Sequence, residues 1–93
     1  MKRVTIAILG AGFVCLSLSA APSTPLSFEE QNELIGRYCF RCHNDALMTA
    51  GLSLESFDAS RAGEQAEIAE KMIRKLQAGM MPPPVAQRPD AAT

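Results

Sequence analysis

The stretch that decides the reading of this chain is Cys39-Phe40-Arg41-Cys42-His43. It holds two of the three cysteines and the only histidine among 93 residues. Cys-x-x-Cys-His is the attachment signature of c-type haem. Two thiols at that spacing can each add to one vinyl group, and the next residue supplies an imidazole as the proximal iron ligand. Three other uses of the pair are weaker. A structural zinc site wants four ligands in two separated pairs, and no second His and only Cys15 remain elsewhere. A thioredoxin-like pair opens a helix in a βαβ setting, whereas this one follows a helix-compatible stretch with no strand pattern in sight. An unadorned disulfide is the third.

The beginning of the chain reads as an export signal. Lys2 and Arg3 precede an uncharged, apolar run over residues 4–18, which fades into Ser19, Ala20 and Ala21 before Pro22. A basic start, a short apolar run and a small-residue exit make a secretory signal peptide over residues 1–21, cleaved near Ala20 or Ala21. The alternative is an uncleaved membrane anchor, for which the run falls short of the roughly 20 apolar residues that cross a bilayer. Cys15 follows Gly-Phe-Val, a poor lead-in for lipidation. Export places the mature protein in the periplasm or outside the cell. There, two cysteines three positions apart cannot staple distant parts of a fold.

Charge excludes one class of function. The nine Lys and Arg become seven once Lys2 and Arg3 leave, against ten Asp and Glu, for a net charge near −3. No cluster of Lys and Arg marks a nucleic-acid footprint. Residues 22–26, with Pro22 and Pro25, form a linker, and residues 27–93 form one domain. A core that small is marginal unless a disulfide, metal or cofactor supplements it.

The periodicity is helical throughout, so the fold class is all-α. Ser27-Phe28-Glu29-Glu30 fits a capping box, and residues 28–39 carry Leu34, Ile35 and Tyr38 on one face. Gly36 either admits a close helix neighbour or is merely tolerated. Residues 44–63 are looser, with turn signals at Asn44-Asp45, Gly51 and Gly63 and a candidate cap at Asp58. The best helix covers residues 64–78. Ile68, Ala69, Met72, Ile73 and Leu76 give it a broad apolar face, with Glu67, Glu70, Lys71, Arg74 and Lys75 outside. Gly79 suits its C-terminal cap, and Pro82-Pro83-Pro84 forbids continuation. Pro89-Asp90 resembles the start of another helix.

An electron-transfer haem needs a sixth ligand, and a single histidine excludes a bis-histidine site within one chain. Methionine is the remaining donor, a soft thioether that favours Fe(II) and raises the potential. Met72 lies on an apolar helix face, and Met48 is only five residues from His43. Met80 and Met81 instead sit between a helix end and three prolines, in a stiff loop with little entropy to lose on binding. Met81, which adjoins the prolines, is the first choice, and Met80 the second.

Three segments, residues 38–44, 51–54 and 75–83, resemble the cytochrome c domain of planctomycete-type cytochrome proteins. The similarity covers about residues 27–90 and is strongest in the haem motif and in Gly79-Met80-Met81-Pro82-Pro83. It implies a class I-like fold around one covalent haem c, with Cys39 and Cys42 as thioether sites, His43 proximal and Met81 distal. Proteins of that class usually place a final helix after the methionine loop, packed across the first helix. This sequence stops where that helix would begin, so a fragment or truncated product is expected, with the Leu34, Ile35 and Tyr38 face short of its partner.

The functional expectation is therefore one-electron transfer to a redox partner protein or domain, without enzymatic activity of its own. The alternatives are an electron-feeding domain of a larger oxidoreductase and a haem-based sensor whose methionine yields to a small ligand. Arg41, Arg61 and Lys75 are candidates for contact with haem propionates.

Overall fold

A computed structural model describes residues 24–93, together with Gly10, Gly12 and Val14. The signal peptide expected over residues 1–21 otherwise lies outside the described residues. Helix α1 spans Phe28–Tyr38 and helix α2 spans Ala66–Gln77, with short 3-10 segments at Thr49–Gly51 and Ala59–Gln65 between them. No strand occurs among the described residues, so the all-α expectation holds.

Helix α1 starts where its side chains supply partners for orphan N–H groups. The Ser27 hydroxyl accepts from Glu30 N at 3.2 Å, and a Glu30 carboxylate oxygen accepts from Ser27 N at 2.8 Å. These bonds hold the Glu30 carboxyl below its ordinary value of 4.5. The Asp58 carboxyl is lowered by bonds from Asn32 and Ser60, and that of Glu67 by Lys71. Carboxyls depressed in the fold contribute stability above their unfolded pKa and lose it as pH falls through the folded value. The thermal midpoint should accordingly stay level near neutrality and fall from about pH 4.5 downward. Ser27→Ala should cost about 1 kcal/mol by denaturant titration and make that acid decline shallower.

Helix α2 begins two residues later than its periodicity predicts. Arg61 (φ −120°, ψ 24°) and Gln65 (φ −127°, ψ 44°) break the helical run, so residues 59–65 wind as 3-10 turns instead. Asp58 caps that segment, accepting from Ser60 N at 2.9 Å. Along α2, Lys71 pairs with Glu67 at 2.9 Å and Arg74 with Glu70 at 3.2 Å. All four side chains are exposed, so each pair contributes only a few tenths of a kcal/mol.

The helix ends as a Schellman turn. Met80 N donates to Lys75 O and Gly79 N donates to Leu76 O, both at 3.0 Å. Gly79 occupies the left-handed region at φ 66°, which a residue with a Cβ enters at a cost. The second interior glycine does less. A Cβ on Gly36 would meet the Phe40 ring at 3.6 Å, an ordinary contact, so close approach within the described chain does not require glycine there.

Both helices pack on the Ala59–Gln65 segment rather than on one another. Asn32 of α1 makes the polar clip to the start of that segment. Its side-chain amide donates to Asp58 Oδ1 at 2.9 Å, and its carbonyl accepts from Ala59 N at 2.8 Å. Asn32→Ala should cost about 1–3 kcal/mol, because a part-buried N–H and a carboxylate lose their partner together. Chemical denaturation of the haem-loaded protein measures it.

The core is open. Only Leu54 and Ala59 count as buried hydrophobics among the described residues. Leu34, Ile35, Tyr38, Ala69 and Ile73 flank an apolar groove of about 450 Å³ between the helices, which Pro89 and Thr93 also line. Residues 88–93 are not helical, although Asp90 accepts from Ala92 N and Thr93 N at 3.0 and 3.2 Å as a cap would.

Candidate haem site

A second, larger hollow of about 590 Å³ lies beside that groove, and Tyr38, Cys39, Met72, Leu76 and Pro82 line both. Its size falls within the roughly 300–1,000 Å³ typical of small-molecule sites. Cys39, Cys42, His43 and Met81 all line it, so the sequence-selected residues come together. Met80 lines neither hollow. It is 52% exposed, and Lys75 Nζ lies 3.9 Å from its sulfur. Met72, expected as core, is half-buried in the dividing wall.

The attachment motif forms the turn that ends α1. His43 N donates to Cys39 O at 2.9 Å and Cys42 N to the same oxygen at 3.2 Å. That fold-back turns His43 and both thiols toward one space. The thiols are unbridged, and burial pushes the Cys39 thiol above its ordinary value. Asn44 stabilises the exit: its amide donates to Phe40 O at 2.7 Å, and its carbonyl accepts from Ala46 N and Leu47 N.

The loop that follows returns to the histidine. Thr49 N donates to Cys42 O, and Leu54 N donates to His43 O at 2.9 Å. The Thr49 carbonyl lies 3.0 Å from His43 Nδ1. With Nδ1 as the donor, Nε2 keeps its lone pair for a metal, the usual arrangement of a metal-binding imidazole. Met48 (φ 46°) and Ala50 (φ 57°) are left-handed on either side of Thr49, a conformation that costs about 1–2 kcal/mol for each L-residue.

The methionine loop is anchored as well. Arg88 Nη2 donates to Gly79 O at 2.7 Å, closing residues 79–88 into a short ring of chain. The sequence singles out neither Arg88 nor Asn32, since both act across distances that local patterning does not encode. One placement also differs from expectation. Lys71 and Lys75, assigned to the outer face of α2, line the rim of the larger hollow. Arg41 lines it too, whereas Arg61 does not.

The larger hollow suits a flat apolar cofactor with one metal. Its wall is mainly apolar, its donors are thiol, imidazole and thioether, and no three His, Cys, Asp or Glu residues cluster as a protein-only cage among the described residues. A family model described as planctomycete cytochrome C matches residues 39–85, just over half the chain. The chain belongs to that family. No curated protein and no solved structure gives a significant match. The matched span begins at the first motif cysteine and runs past Met81 to Val85, so it encloses Cys39, Cys42, His43 and Met81. Helix α1 of this cytochrome c domain lies outside it. As a member of the family the domain binds haem, and Cys39, Cys42, His43 and Met81 all line the larger hollow.

Proposed function

We propose that this cytochrome c domain carries one covalent haem c and transfers single electrons outside the cytoplasm. The observation that carries the reading is the convergence of Cys39, Cys42, His43 and Met81 on one apolar hollow. Cys39 and Cys42 would hold the haem as thioethers, each thiol adding across one vinyl group with its sulfur on one carbon and its hydrogen on the other. When bound, the haem supplies an iron that alternates between Fe(III) and Fe(II).

The chain's own groups set the conditions for that change. Thr49 O fixes the His43 ring through Nδ1 and makes the imidazole a stronger donor. Met81 offers a polarisable sulfur that prefers the reduced metal. The Schellman turn at Gly79 and the Arg88 bond hold the Met81 loop so that a weak ligand remains near its site. Apolar residues such as Leu52, Leu54 and Ile68 limit water around the donors.

Export is part of the proposal, since haem attachment of this type follows translocation. The purified mature protein should begin at Ala21 or Pro22 by N-terminal sequencing. No described helix is long and apolar enough to cross a membrane. Spectroelectrochemical titration tests the electron-transfer reading: the expected result is a reversible one-electron wave. Ready binding of carbon monoxide to the ferrous protein would favour the sensor reading instead.

A further inference from the structure

The turn that carries the Thr49 carbonyl to His43 is built against its own conformational preference. Of residues 48–51 only Thr49 avoids the left-handed region: Met48 (φ 46°, ψ 40°), Ala50 (φ 57°, ψ 25°) and Gly51 (φ 70°) all occupy it. Met48 and Ala50 each carry a Cβ and are disfavoured there. Strain of this kind persists only where the surroundings over-determine it.

Packing does not supply that constraint, because residues 45–51 are all exposed. Hydrogen bonds do. Met48 N donates to Asn44 O at 2.9 Å, Gly51 N to Met48 O at 2.7 Å and Leu52 N to Thr49 O at 3.2 Å. Thr49 O therefore serves two donors, its own turn and the His43 ring at 3.0 Å.

Within residues 44–55 one bond joins two side chains: Ser53 Oγ donates to Asp45 Oδ1. It ties the segment that leaves His43 to the segment that returns to it, with the strained turn between. Glu55 extends the tie, its N–H donating to Ser53 Oγ and its carboxylate accepting from Asp45 N, both at 3.4 Å.

We infer that the Asp45–Ser53 bond is a positioning element for the proximal ligand: it keeps the 48–51 turn in the shape that holds Thr49 O on His43 Nδ1, and so sets the reduction equilibrium of the iron. The inference rests on His43 being the proximal ligand, as proposed above. A carbonyl that accepts from Nδ1–H makes the imidazole a stronger donor, and a stronger donor favours Fe(III). Leu52 N cannot hold Thr49 O in place alone, since it follows the carbonyl as the turn relaxes. Without the brace the bond to the ring lengthens and the iron becomes easier to reduce.

Spectroelectrochemistry and proton NMR of the haem-loaded full chain test this together. Ser53→Ala should raise the reduction equilibrium constant about threefold, ~30 mV at 59 mV per decade for one electron. It should also speed exchange of the His43 Nδ1 proton in the ferrous protein at least tenfold. Ser53→Val should do the same, whereas Ser53→Thr, its isostere with a hydroxyl, should keep both readings native. None of these substitutions alters charge, so a direct electrostatic effect on the iron does not enter. The control is Ser60→Ala, which removes another Ser–Asp bond, Ser60 Oγ to Asp58 Oδ1 at 2.8 Å, from the segment before α2. It should lower stability and move neither reading.

Unchanged readings in Ser53→Ala overturn the inference, as does a shifted potential with proton exchange unmoved, or an equal shift in Ser60→Ala. Should Ser53→Ala fail to fold, the comparison of Ser53→Val with Ser53→Thr decides, and equal readings there overturn it. His43→Ala separates the two levels. If it leaves the native low-spin spectrum intact, the ligation reading fails; if it abolishes that spectrum while Ser53→Ala moves nothing, only the brace fails.

Discussion

Cys39→Ala/Cys42→Ala, made alongside a haem-maturation system, is expected to yield a chain that retains no haem in acidified acetone and has lost most of its cooperative structure. The expectation follows from how little the polypeptide buries by itself. Leu54 is 2% exposed, but Ile73 and Leu76 remain 52% and 54% exposed, and no large side chain is fully buried among the described residues. Burial is worth about 25 cal/mol per Å² of apolar surface, and most of the apolar surface of α1 and α2 faces the two hollows. A rigid macrocycle in the larger one supplies the missing contact area. Thioether links hold it at high effective concentration, as any tether does. Their loss leaves a site that dilution can empty, and binding to the folded state is what stabilises it. Far-UV circular dichroism with thermal melting reads the outcome. Single replacements should be milder, leaving one thioether and a melting transition between those of the native and double-variant proteins.

The second large effect belongs to Met81. Met81→Ala should abolish the methionine-to-iron charge-transfer band of the ferric protein and lower the reduction potential by on the order of 100 mV, a modest part of the ~0.8 V range that axial ligands control. Met80→Ala should leave the band in place, because Met80 lies outside the hollow that His43 and Met81 share. Met72→Leu is the informative control. Met72 also lines that hollow, but from the middle of α2, so its replacement should alter stability rather than the band. Arg88→Met should fall between these results. Without the bond to Gly79 O the loop becomes looser, and an external ligand such as imidazole should displace the methionine at lower concentration.

The features legible in the sequence are those whose partners lie within a turn or two. The Ser27/Glu30 box, the Glu67–Lys71 and Glu70–Arg74 pairs and the glycine at the end of α2 all form as their spacing implies, because each involves residues three to five positions apart. The haem-binding family was legible in Cys-x-x-Cys-His for a chemical reason: few other uses fit two thiols and one imidazole in that order. Contacts set by tertiary approach were not legible. Asn32 lies 26 and 27 positions from the groups it binds, and a mid-helix Asn, a poor helix former, was the available signal. Helical periodicity placed Lys71 and Lys75 opposite the apolar stripe, yet long side chains reach around a helix to cover neighbouring apolar surface. Helix α2 starts two residues after its periodicity because Arg61 and Gln65 leave helical geometry without a proline to announce it.

The central claim is that Cys39 and Cys42 bind one haem covalently. Intact mass spectrometry of the mature protein, after extraction with acidified acetone, tests it most directly. The expected result is a single species whose mass is that of the polypeptide plus one haem. A bare polypeptide mass, with the haem recovered in the organic phase, would contradict it.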